Sequence, residues 1–182
     1  ATEVDLIRED DIRQLSHRLH PGIIRVGALA GLRSLRDYYE QLIPLELQVS
    51  ASAEDLERAG SSRIPERLRL AAYRVAELGL GNIIKHADAS KAVVSWNYDV
   101  QQKELVLSVV DDGKGFDDSE IGKTTEVTGI GLTTIDDYAD ALGGSFELVS
   151  KVGEGTNFTV RFPFVDPSND DSDGGLDRRE SR

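Results

Sequence analysis

The sequence predicts an α+β fold: a two-layer α/β sandwich in which a mixed sheet carries helices on one face, with a helical arm at the N-terminus. Three observations predict it. Residues 66–87 repeat apolar side chains at helical spacing for about six turns. Four later segments alternate apolar and polar residues or run β-branched, as strands do. A second helical pattern, IGLTTIDDYADALG at 130–143, falls between the second and third of those segments. At 182 residues, 39% hydrophobic, the chain can bury one core and has little room for two.

Taken in order, Ile12, Leu15, Leu19, Ile23, Ile24, Val26, Leu29, Leu32 and Leu35 recur at helical spacing between Asp11 and Gln41. Pro21 lacks a backbone donor and crowds the preceding turn, so a kink or break is predicted at His20 to Gly22. LIPLELQVS at 42–50 reads as a first strand, and AEDLERAGSSRIP at 53–65 as a loop. Pro65 then stands where a first-turn proline is tolerated, opening the long helix. KAVVSWNYDV (91–100) and ELVLSVVDD (104–112) form a hairpin over Gln101, Gln102 and Lys103. Gly143 and Gly144 stop the second helix ahead of the strands SFELVS (145–150) and TNFTVRFPF (156–164). After Phe164 almost nothing is left to bury, which predicts a disordered tail. The expected division is a helical arm over 1–42, the sandwich over 43–165 and the tail over 166–182.

Composition excludes several functions. A net charge of −12 opposes broad binding to nucleic acid or to an anionic membrane, both of which need a positive field. The absence of cysteine removes disulfide frameworks and thiolate metal sites and fits a reducing compartment. No apolar run approaches the roughly 20 residues that span a bilayer, and ATEVDLIREDD has no signal-peptide core. A cytoplasmic piece is expected, with neither nucleic acid nor membrane contact of its own, although its parent protein can be membrane-anchored.

The residues that carry chemistry lie in four places: the helix from Arg74 to His86, DDGKGF at 111–116, GIGL at 129–132 and GEGT at 153–156. Asp111 ends an apolar strand, where its carboxylate can accept a hydrogen bond from an amino group, and Gly113 and Gly115 permit a turn and close ligand approach. Gly129 and Gly131 precede a helix, whose free N–H groups and dipole suit phosphate oxygens. Each motif taken singly also reads as an ordinary turn or a packing glycine.

In this order, over roughly residues 60–164, the four motifs resemble the nucleotide-binding fold shared by histidine kinases, gyrase-type topoisomerases, Hsp90 chaperones and MutL proteins. LSHRLHPGII (15–24) followed by GALAGLRSL (27–35) is similar to the second helix of the dimerisation hairpin in short-lid histidine kinases. The resemblance implies a sandwich of the histidine kinase/Hsp90 ATPase type. It also implies ATP and Mg2+ as cofactors, and a γ-phosphoryl passed to a histidine outside these residues and then to a response-regulator aspartate. A homodimer through the N-terminal helix is implied as well. Carried over, Asp111 contacts the adenine amine and Asn82 ligates magnesium, with Lys85 and His86 near the phosphates. Gly113, Gly115, Gly129, Gly131, Leu132 and Thr156 would cradle the nucleotide, and Asp117 to Thr128 would form the lid.

The chain departs from this pattern where the family places its base. The carboxylate expected four residues before Asn82 is Leu78, and the adjacent Glu77 lies about 140° from Asn82 around an ideal helix. Gly79 and Gly81 each cost about 1 kcal/mol in a helix interior, and a distortion there would let Glu77 serve as the catalytic carboxylate. His20, at the helix break, is expected to be structural. The alternative reading is a nucleotide-binding but catalytically impaired sensor or dimerisation module. Other ATPases of the fold and a ligand-free scaffold fit the arm and the motifs less well.

Overall fold

Asp99 closes the first hairpin: its Oδ1 accepts the backbone N–H of Gln101 and Gln102, each at 2.9 Å, and Lys103 takes a left-handed φ of 56°. The strands it joins, β2 (Ala92–Asp99) and β3 (Glu104–Asp111), form the centre of the sheet. This computed structural model describes Gly22 and residues 25–58, 62–117 and 130–168. Before the hairpin come α1 (Ala28–Tyr39), β1 (Leu45–Val49), a short α2 (Ala51–Asp55) and the long α3 (Glu66–Asn82). Beyond Asn82, α3 runs on as a π-helical turn over Ile83–Ala87. After the hairpin come α4 (Ile130–Ala141), β4 (Ser145–Lys151) and β5 (Gly155–Pro163).

The strands order β1-β2-β3-β5-β4, with β1 parallel to β2 and every other pairing antiparallel. A parallel pair cannot be joined by a tight turn, and the segment containing α3 supplies the crossover. Alternation puts Val94, Trp96, Leu105, Leu107, Val160 and Phe162 on one face, buried against the helices, while Asn97, Val110 and Asn157 of the other face are exposed. Each fully buried side chain of this size contributes roughly 1.5–3 kcal/mol. The sheet is mixed and the helices lie on one face, as the patterning predicts.

Four local features differ from the sequence reading. Residues 28–39 of the arm do not stand apart: α1 packs on α3 and buries Leu32, Leu35 and Tyr39 in the shared core. The described helix breaks at Gly27, where the Glu57 carboxylate accepts the N–H groups of Ala28 and Leu29 at 2.7 Å each and so caps α1. The predicted break at Pro21, and His20 with it, lie outside the described residues. Part of the loop expected at 53–65 is instead α2, because the Ser50 hydroxyl accepts the N–H of Ala53 and caps a helical turn. Order also runs past residue 165. Asp166 is buried, its N–H donates to the Tyr98 hydroxyl at 3.4 Å, and its carboxylate pairs with Arg63 at 3.4 Å. Residues 169–182 lie outside the described residues.

Candidate functional site

Three inward-facing strand patterns end on a polar residue, and the sheet's register brings those ends into one row. On β3 the series is Leu105, Leu107, Val109, Asp111; on β5, Phe162, Val160, Phe158, Thr156; on β4, Phe146, Leu148, Ser150. Asp111 pairs with Thr156 across β3 and β5, and Thr156 pairs with Ser150 across β5 and β4. The apolar face under the helices therefore finishes in a polar rim.

A cavity of about 610 Å³ opens at that rim. Of the residues singled out in the sequence, Asn82, His86, Asp111, Gly115, Leu132 and Thr156 line it. Gly79, Val109, Phe116 and Phe158 add an apolar wall, and Lys114 also lines it. Gly79 is required where it stands, because a Cβ there would overlap the Phe158 ring. The distortion expected at Gly79 and Gly81 falls one turn later: α3 stays α-helical through Asn82 and widens only over Ile83–Ala87.

The loop after β3 is pinned from both sides. Gly113 donates its N–H to Asp111 Oδ1 at 2.8 Å, and Lys114 donates its own to the Ala87 carbonyl at 2.7 Å. A Cβ on Gly113 would overlap that carbonyl, and Gly115 takes a φ of +55° against the Lys151 carbonyl, so both positions demand glycine. Asp111 is 8% exposed, and burial pushes its carboxyl pKa up, opposed in part by the N–H groups of Gly113 and Thr156. Asp112, one residue on, is exposed and fastens the connection from α3 to β2. Its carboxylate accepts Ser90 Oγ at 2.6 Å, Ser90 N at 2.8 Å and Lys91 N at 3.0 Å, and these bonds, the Ser90 hydroxyl first, lower its pKa.

The other candidates are placed differently. Lys85 is exposed on the π-helical turn and does not line the cavity. Glu77 does not line it either. Its carboxylate accepts Arg74 Nη1 at 2.7 Å and lies near Tyr39 and Tyr73, on the side of α3 that meets α1. Leu78 is half-buried and packs against the core. Gly131 falls in the first turn of α4, whereas Gly129 and the lid from residue 118 onward lie outside the described residues. Sequence reasoning missed Ser150, Phe116 and Asp112; the two-residue alternation of SFELVS already turns Ser150 inward.

Known proteins share this architecture. A sequence profile described as "Histidine kinase-, DNA gyrase B-, and HSP90-like ATPase" matches residues 68–166. The sensor histidine kinase LiaS of Bacillus subtilis (strain 168) is 26% identical over 156 residues, which cover 85% of this chain and 39% of LiaS. The chain thus spans well under two thirds of that relative. The histidine kinase domain of the blue-light activated histidine kinase from Erythrobacter litoralis EL346 superposes with a TM-score of 0.56 at 17% identity, covering 75% of this chain and 60% of the other. Full-length ShkA in complex with AMPPNP superposes with a TM-score of 0.57 at 21% identity, covering 90% of this chain and 38% of ShkA. At these identities the structural likeness is one of fold.

Proposed function

This chain belongs to the histidine kinase-, DNA gyrase B- and HSP90-like ATPase family, and we propose that it is the ATP-binding catalytic domain of a two-component sensor histidine kinase. In this reading it holds Mg-ATP in the rim cavity and passes the γ-phosphoryl to a histidine on a dimerisation helix, from which a response-regulator aspartate receives it. The observation that carries the reading is the buried Asp111 carboxylate, set in a largely apolar cavity that it shares with Asn82 and His86.

Within that cavity Asp111 accepts a hydrogen bond from the adenine amine while Val109, Phe116 and Phe158 exclude water from the ring. Gly113 and Gly115 bring the backbone close to the base. Toward the phosphates, His86 supplies a donor and Lys85 adds positive charge from outside the cavity, and the N-terminus of α4, with Gly129, Gly131 and Leu132, receives phosphate oxygens. Thr156 belongs to the base end of the site.

Asn82 offers an amide oxygen of the hard type magnesium prefers, and no cluster of three His, Cys, Asp or Glu side chains forms a ready-made metal cage among the described residues. That donor set fits an ion held jointly by Asn82, phosphate oxygens and water. Bound there, magnesium supplies charge neutralisation along the triphosphate. The chain itself works by positioning and charge stabilisation, since Leu78 carries no proton acceptor and Glu77 is engaged by Arg74. The N-terminal helical segment pairs with that of a second copy in the longer protein, while α1 and Asp166, both packed on the sandwich, belong with the catalytic unit.

Titration calorimetry with Mg-ADP and a non-hydrolysable ATP analogue tests this directly. Saturable binding, lost in Asn82→Ala and in Asp111→Ala, is the expected result. A folded chain that binds neither nucleotide would sink the reading.

A further inference from the structure

Ser150 is 5% exposed, and its hydroxyl touches three polar groups. The Phe116 N–H donates to Ser150 Oγ at 3.0 Å, the Gly155 carbonyl accepts from it at 3.1 Å, and Thr156 Oγ1 lies 3.0 Å away. A hydroxyl has one proton and two acceptor lobes, an amide N–H can only donate, and a carbonyl can only accept. Only one assignment makes all three contacts hydrogen bonds. Ser150 gives its proton to Gly155, and Thr156 gives its proton to Ser150.

The consequence reaches the cavity. Thr156 lines it beside Asp111, its partner across β3 and β5, yet its hydroxyl proton is turned back toward Ser150. To a ligand that reaches it, Thr156 Oγ1 is therefore an acceptor, on the same rim of the cavity as the Asp111 carboxylate. A wall made of acceptors suits a base edge that offers two N–H donors on one atom, as a 6-aminopurine does. A 6-oxopurine would put a carbonyl oxygen against that wall, and a buried acceptor left facing acceptors is costly.

Resting on the nucleotide reading above, we infer that Ser150 is a positioning residue: by taking the Thr156 proton it makes the cavity select a 6-aminopurine over a 6-oxopurine. Ser150 touches no ligand itself and acts through Thr156, while its bond to Phe116 keeps that residue on the cavity wall. Removing the Ser150 hydroxyl frees the Thr156 proton to turn inward, where it can donate to a 6-oxo group.

The test is calorimetric titration of the full chain with Mg-ADP and with Mg-IDP, the 6-oxo counterpart. Wild type binds ADP in preference to IDP. Ser150→Ala binds IDP more tightly than wild type does, and the ADP to IDP preference falls about tenfold, the worth of one hydrogen bond. A merely structural loss cannot produce that gain. The gain disappears in the double variant Ser150→Ala, Thr156→Val, because it depends on the Thr156 hydroxyl. Ser150→Cys, which places a poor hydrogen-bonding group at the site, shifts the preference in the same direction and stands in if Ser150→Ala does not fold. An unchanged preference, an equal weakening of both nucleotides, or an IDP gain that survives Thr156→Val overturns the role of Ser150 and leaves the nucleotide site standing. Wild type that binds ADP and IDP equally also overturns it alone, whereas wild type that binds neither overturns the site together with it.

Discussion

Two polar sets of the fold have different fates. On the side of α3 facing α1, Glu77 is paired with Arg74 beside the buried hydroxyls of Tyr39 and Tyr73. At the rim of the sheet, Asp111, Thr156 and Ser150 bond to one another's strands and loop, yet Asp111 and Thr156 still line an open cavity. The first set is satisfied within the fold and so contributes stability. The second keeps acceptor capacity in hand, and a buried polar group with capacity to spare in a cavity is what a ligand completes. Burial and charge alone do not separate the two sets, because Glu77 and Asp111 are both largely buried carboxylates.

Substitutions can break this contrast, and the largest effect is expected at the rim. Asp111→Asn should lower Mg-ADP affinity on the order of 100-fold, because a charge-assisted acceptor becomes a neutral amide. Thermal unfolding of the same variant should show no loss of stability at neutral pH, since burial penalises the carboxylate it replaces. Gly79→Ala comes next. Overlap with Phe158 costs about 1–3 kcal/mol, against which alanine recovers about 1 kcal/mol of helix propensity, so denaturant titration should show a net loss. Glu77→Gln should cost about 1 kcal/mol or less, with Mg-ADP affinity unchanged by calorimetry. A large fall in affinity in Glu77→Gln would erase the distinction between the two sets.

Smallest in size but sharpest in sign is the response to pH. The Asp111 pKa is raised, so its contribution to stability is fully present below its unfolded value and is lost as pH rises through its folded value. The Asp112 pKa is lowered, so its contribution is present above its unfolded value and is lost as pH falls through its folded value. On acidification Asp111 therefore protonates first. Mg-ADP affinity should fall at a pH above the ordinary aspartate value of 3.8, where the Asp112 bonds to Ser90 and Lys91 still hold. Binding that persists until the fold itself fails would contradict this order.

Much of this was legible in the residues. The inward series ending in Val109 and Asp111, the hairpin over Gln101 to Lys103 and the long helix opening at Glu66 are each set by near neighbours in sequence and formed where expected, although the last five residues expected in that helix, Ile83–Ala87, are π-helical. The first turn of α2 was hidden because Ser50 and Ala53 look like strand end and loop until the hydroxyl caps the helix. Glu57 gave no sign of its role, since the α1 N–H groups it caps lie 28 and 29 residues away. Glu77 and Leu78 could be compared only by helical angle, and it is the packing of α1 on α3 that gives Glu77 its surroundings.

By itself, the sequence determined most of the elements, the face each one buries and the glycine turns of the candidate site, because periods of 2 and 3.6 residues and the demands of glycine turns are local. The tertiary structure alone decided that Asp111, Thr156 and Ser150 form one row. That row is a matter of strand register between segments far apart in the chain, which no local pattern encodes. The direction in which the Thr156 proton points follows from that register, because only there do Phe116, Gly155 and Ser150 meet.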